Sequence, residues 1–169
     1  MQVIVSDSSC LIDLRKGGLL RALLRLPYTV VMPQPLFDDE LLSISATEKA
    51  ALTTGGLEVR ELDSAAVTRA ARYRREHVAL RLNDCFALVL AEDTEDSVLL
   101  TGDRRLREVA LASGVKAHGV LWATDRMRDH GAAGNDLLRA ALEVFRDDPL
   151  VFLPEEEIRM RLKRLYRKR

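Results

Sequence analysis

The chain has 169 residues, and its 26 basic side chains balance its 26 acidic ones. That length suits one domain with a sizeable core, and the zero net charge excludes a partner chosen by bulk charge alone. No apolar run is long enough to span a membrane, and no basic stretch precedes an apolar one in the manner of a leader, so a soluble cytoplasmic protein is expected.

Two cysteines, Cys10 and Cys85, cannot make a disulfide framework and have no companion ligands for zinc. Small buried thiols in a reducing compartment are expected. The first strand is Val3-Ile4-Val5, three apolar β-formers in succession, as in a parallel sheet buried on both faces. It runs into Asp7-Ser8-Ser9, which are cap and turn residues, and then into a helix over Cys10 to Leu14. Asp7 therefore sits at the carboxyl end of a strand, where α/β sheets bind ligands.

After Gly17-Gly18 the leucines at 19, 20, 23 and 24 form one stripe of a helix that Pro27 stops. Thr29 to Met32 is the second buried strand. Pro35 opens a helix carrying Leu36 to Leu42, with Asp38, Asp39 and Glu40 in a row near its N-terminus. Glu40 lies three and four residues from Phe37 and Leu36, so it is expected to turn inward, where a carboxylate needs a partner or a cation. Asp39 takes that place if the helix is shifted by one residue.

Thr47 to Thr53 reads as a helix, Leu57 to Leu62 as an edge-like strand, and Ser64 as the cap of a helix ending near His77. Asn83 or Asp84 begins a helix that is apolar nearly all round and belongs in the core. Ser97 to Thr101 is a third buried strand. It runs into Gly102-Asp103 and a helix from Arg104 to Ser113, repeating the pattern at Asp7. A strand over Val115 to Val120 follows, then helices over Leu121 to Asp129 and Asn135 to Arg146. A final helix starts near Pro154, acidic at its head and basic towards its tail, as a helix dipole favours.

Alternating strands and helices argue for a three-layer α/β/α sandwich with a mainly parallel sheet. Residues 1–150 read as the main domain and residues 151–169 as a basic helical extension. In that layout Asp7, Glu40, Asp84 and Asp103 can converge at one sheet edge. Clustered carboxylates repel, and burial raises their pKa. A hard divalent cation, Mg²⁺ or Mn²⁺, would neutralise them through oxygen ligands. Such a site suits phosphoryl chemistry, with Thr101 placed to steady Asp103, and Arg104, Arg105 and Arg107 placed to grip phosphates. Asp125 is a remote accessory candidate.

Four stretches resemble, in order, those of PIN-domain proteins. They are Val5 to Leu11, Met32-Pro33 to Glu40-Leu41, Asn83 to Leu88, and Leu99-Leu100-Thr101-Gly102-Asp103-Arg104-Arg105-Leu106, followed by the ending His118 to Trp122. The resemblance implies a flavodoxin-like fold and a Mg²⁺- or Mn²⁺-dependent ribonuclease with Asp7, Glu40, Asp84 and Asp103 as its metal-binding, catalytic acids. It also implies the role of toxin in a toxin–antitoxin pair. The partners implied are single-stranded or structured RNA, an antitoxin protein and a second copy of the chain. A phosphoacceptor domain of similar fold is disfavoured, because the only late-strand lysine, Lys116, starts its strand. A catalytically silent domain that binds RNA or protein is the competing expectation.

Overall fold

The computed structural model describes residues 2–166. Within them, strands form at β1 (Val3–Ser6), β2 (Thr29–Pro33), β3 (Leu57–Arg60), β4 (Ser97–Leu100) and β5 (Lys116–His118). They make one sheet in the order β3-β2-β1-β4-β5, with every neighbouring pair parallel. The central strands explain their own burial: Ile4, Val5, Val30, Val31, Leu99 and Leu100 are almost wholly inaccessible. Runs of this kind satisfy a sheet covered on both faces.

The chain lays down β1, β2 and β3 in one direction and then returns to place β4 on the other side of β1. Parallel connections are right-handed, so this reversal sends the connecting helices to opposite faces. One face carries α6 (Leu82–Glu92), packed on β1, β2 and β4 between α5 (Ser64–Glu76) and α7 (Arg104–Ala112). Every residue of α6 from Asp84 to Ala91 is buried, and each large apolar side chain so placed stabilises the fold by about 1.5–3 kcal/mol. The other face groups α1 (Ser8–Lys16), α2 (Leu20–Leu24), α8 (Val120–Asp129) and α9 (Asn135–Asp147). Gly17 lets α1 end against α9: a Cβ there would stand 2.9 Å from the buried Phe145 ring. The result is the α/β/α sandwich expected from the alternation of strands and helices.

Several boundaries differ from expectation. The helix after β1 is longer, Ser8–Lys16, because Ser8 and Ser9 already lie inside it. The helix opened by Pro35, α3, spans only Gln34–Asp39. Asp38 and Asp39 are therefore at its C-terminal end rather than its N-terminal turn, and Glu40 follows the helix as its C-cap. The cap of α5 is Asp63, whose carboxylate accepts from the Ala66 N–H at 2.7 Å, and not Ser64. Arg81 precedes α6, so Asp84 is its third residue and not its cap.

The last helix, α10 (Glu155–Tyr166), packs on α9 through Ile158, Leu162 and Leu165. Arg161 pairs through Nε and Nη2 with both carboxylate oxygens of Asp125 on α8. The basic residues Arg167, Lys168 and Arg169 lie outside the described residues. We propose that residues 151–169 are an extension fastened to the domain 1–150 through these contacts. A chain ending at Lys163 loses Leu165 but keeps Ile158, Arg161 and Leu162. It should fold cooperatively and melt roughly 4–10 °C below the parent. Failure to fold in a thermal melt followed by circular dichroism would make α10 an integral part of the core.

Candidate functional site

The reversal of chain direction lies between β1 and β4, and open α/β sheets bind ligands at such a point, beyond the carboxyl ends of the strands. Asp7 follows β1 there, and Thr101 follows β4. Asp7 is 1 % exposed and occupies the N-cap position of α1, yet its carboxylate makes no bond to a helix N–H. It accepts instead from side chains: Ser9 Oγ at 2.8 Å and Thr101 Oγ1 at 2.9 Å on one oxygen, and Ser8 Oγ at 3.2 Å on the other. A residue with the sequence signature of a helix cap is thus turned away from the helix and held by three hydroxyls.

Glu40 reaches the same place. Ser8 Oγ donates to Glu40 Oε2, and Asn83 Nδ2 donates to Glu40 Oε1 at 3.0 Å. Ser8 is therefore shared between Asp7 and Glu40. Asp38 and Asp39 stay exposed and line a separate concavity with Pro35, Glu61 and Val67. The inward acid is Glu40, and Asp39 does not join it.

Asp84, also 1 % exposed, accepts from the Arg81 backbone N–H at 2.6 Å. The Arg81 guanidinium spans two acids, with Nη1 3.4 Å from Glu40 Oε1 and Nη2 3.3 Å from Asp84 Oδ1. Asp7, Glu40 and Asp84 feel one another. Burial pushes the Asp7 carboxyl up from its ordinary 3.8; the Ser9 and Thr101 hydroxyls oppose this, and the charges of Asp84 and Glu40 add to it.

Asp103 does not enter this group directly. It caps α7, with Oδ1 accepting from the N–H groups of Arg105 at 2.7 Å and Leu106 at 3.0 Å. Its link to the cluster is indirect: its own N–H donates to Thr101 Oγ1 at 3.0 Å, and that hydroxyl donates to Asp7. Thr101 thus holds Asp103, as expected, but through the backbone N–H, and its hydroxyl positions Asp7 as well.

Of the flanking candidates, Arg105 is exposed, while Arg104, Arg107 and Asp125 are engaged elsewhere. Arg104 pairs with Glu108 along its own helix. Arg107 donates to the Thr101 carbonyl at 3.1 Å and lies under Gly119. Asp125 is committed to Arg161. His118 stacks on Trp122 with ring centroids 4.8 Å apart; burial, then Arg107 and Arg126, hold it below the usual histidine range.

A family model for the PIN domain (DUF3368) matches residues 3–167. The chain belongs to the PIN-domain family. Among curated proteins none is significantly similar to it. The match runs from β1 through α10, and the five-stranded parallel sheet between two helical layers is the PIN-like fold. The PIN domain is a nuclease fold, which places the acids at the sheet switch point in a chemical setting.

The cluster is rich in Asp, Glu, Ser and Thr oxygens turned towards one another, and such a set suits a hard cation. Among the described residues no three acids stand at direct ligand spacing. Hydroxyls and the Arg81 guanidinium fill the gaps between the carboxylates. The sequence assigned no site role to Arg81, read Asn83 only as a helix start and the head of a motif, and took Ser8 and Ser9 for cap and turn residues. The one available signal was Arg81 three residues before Asp84, a spacing that pairs charges at a helix start.

The burial of Asp7 has a pH signature. Its folded pKa lies above its ordinary value, so the folded chain binds a proton more tightly than the unfolded one. Stability of metal-free protein should therefore fall as pH rises from 3.8 through the folded pKa. Asp7→Asn should flatten this slope and melt higher than the parent near pH 7. Thermal melts with chelator from about pH 4 to 7 would test it. An Asn variant that melts lower at neutral pH, with the slope unchanged, would show that Asp7 is not a strained buried acid.

Proposed function

We propose that this PIN domain is a metal-dependent ribonuclease that hydrolyses RNA phosphodiester bonds with water as the nucleophile. The observation that carries the reading is the convergence of Asp7, Glu40 and Asp84 at the carboxyl edge of the sheet, two of them almost wholly buried. Acids kept together at such cost need a cationic function to offset it. Asp7, Glu40 and Asp84 would hold Mg²⁺ or Mn²⁺, with Asp103 as an outer acid linked through Thr101. When bound, the ion supplies charge screening at the phosphate and a lowered pKa for water.

The chain's own residues have separable tasks. Ser9 and Thr101 fix the rotamer of Asp7, so its carboxylate is preorganised. Ser8 and Asn83 fix Glu40 from two sides. Thr101 also joins the ends of β1 and β4, which keeps the Asp103 backbone in register with Asp7. RNA, single-stranded or structured, is the proposed substrate. The proposed physiological setting is the cytoplasm and a toxin–antitoxin pair, which makes an antitoxin protein and a second copy of the chain its candidate partners. A neighbouring reading frame encoding a small DNA-binding protein would support that setting.

Water as nucleophile dictates the ends. Cleavage of single-stranded RNA in Mn²⁺ should leave 5′-phosphate and 3′-hydroxyl groups. Products with 2′,3′-cyclic phosphate would mean that the ribose hydroxyl attacks, and would remove the mechanism. Glu40→Gln should cut the rate on the order of a hundredfold, because a carboxylate at the centre is lost. Asp39→Asn should leave it within about twofold, since exposed positions away from the site are near neutral. The opposite ranking in a single-turnover assay would move the site by one residue.

One observation favours a second reading, a catalytically silent domain that binds RNA or protein. Arg81 already pairs with both Glu40 and Asp84 and offsets part of their charge. Calorimetric titration with Mn²⁺ separates the two: uptake that Asp84→Asn abolishes supports the nuclease, and no uptake supports the silent domain.

A further inference from the structure

The acid cluster contains its own cation. Among the described residues Arg81 is the basic side chain paired with Glu40 and Asp84, and these acids come from different elements. Glu40 follows α3, while Asp84 is on α6, so the guanidinium ties two parts of the fold at the point where they meet. Two other cations of adjoining segments are engaged with backbone carbonyls: Lys49 with Phe37 at 2.6 Å, Arg107 with Thr101 at 3.1 Å.

The two ends of Arg81 behave differently. Its backbone N–H is held by Asp84 Oδ2 at 2.6 Å, and Leu80 beside it is buried. Its side chain is 68 % exposed, whereas Glu40 and Asp84 are 15 % and 1 % exposed. The backbone is anchored and the guanidinium can swing into solvent without a change of fold. The guanidinium can be rehydrated on leaving, but the acids it leaves are enclosed and need another positive charge in its place, so its release is coupled to the arrival of a second cation. One positive charge also leaves three converging carboxyl groups only partly neutralised.

We propose that Arg81 is a resident counter-cation which a divalent ion must displace from Glu40 and Asp84, and that it thereby sets the ion concentration at which the site fills. The inference rests on the reading of Asp7, Glu40 and Asp84 as a divalent-cation site. Arg81 is a positioning residue in this scheme: without the ion it holds the two carboxylates in place, and it gives them up when the ion arrives. A site that is competent only while its own arginine is swung out shows an apparent affinity reduced by that fraction.

The test uses the full chain, stripped with chelator, and MnCl₂ as the probe in isothermal titration. Arg81→Gln should bind Mn²⁺ on the order of tenfold more tightly than the parent. Arg81→Lys, which keeps the charge but not the planar fork, should fall between them. A merely structural role for Arg81 predicts the reverse, weaker binding once the site loosens. Mn²⁺ uptake by the parent with equal or weaker uptake by Arg81→Gln overturns the competition and leaves the metal site standing. No uptake by parent or variant, both folded by circular dichroism, overturns the metal site and the role of Arg81 with it.

Discussion

Asp7 is a carboxylate almost without water, and most of the surrounding arrangement answers that fact. An ionised group in such a place loses its solvation, and it survives only if hydrogen bonds or charge replace it. Three hydroxyls do part of this work, from Ser8, Ser9 and Thr101. Two of them lie in the first turn of α1, and the third follows β4. The position of Asp7 therefore depends on the pairing of β1 with β4, with Ser6 opposite Leu100. A one-residue slip in that register would carry Thr101 to the wrong place and leave Asp7 unsatisfied.

The same dependence runs outward. Glu40 reaches the cluster because α3 stops at Asp39 and the next residue turns towards Ser8. Asp84 reaches it because α6 is buried along its length and cannot rotate: Cys85 to Ala91 are all enclosed. Packing thus acts as the restraint that holds two further acids close to Asp7. Repulsion among them is relieved locally by Arg81 and Asn83. The site is stable as a network, and each member takes its position from contacts that a different element supplies.

Asp103 shows how two roles compete for one side chain. As the residue between β4 and α7 it has the geometry of an N-cap, and one oxygen is spent on the N–H groups of Arg105 and Leu106. Asp7, in the same position after β1, has N-cap backbone geometry and no such bond. The difference is burial. At the half-exposed Asp103 the helix N–H groups are the best donors on offer. At the enclosed Asp7 three hydroxyls converge from two elements and outcompete them.

The sequence by itself determined the layered α/β fold, because buried β-branched runs and amphipathic helices have distinct periods that survive any detail of packing. It also determined that Asp7 and Asp103 lie just beyond strands, since each comes shortly after an apolar run, Asp7 behind Ser6 and Asp103 behind Thr101-Gly102. The inward turn of Glu40 was legible from its spacing to Leu36 and Phe37, although the helix end was not. Only the tertiary structure decided which acids meet. Strand order, the register of β1 with β4 and the rotation of α6 bring Asp7, Glu40 and Asp84 together while leaving Asp103 one hydroxyl away. It alone revealed Arg81 and Asn83, whose partner Glu40 is distant in the chain. Such contacts depend on where separate elements come to rest against one another, and local patterns carry no record of that.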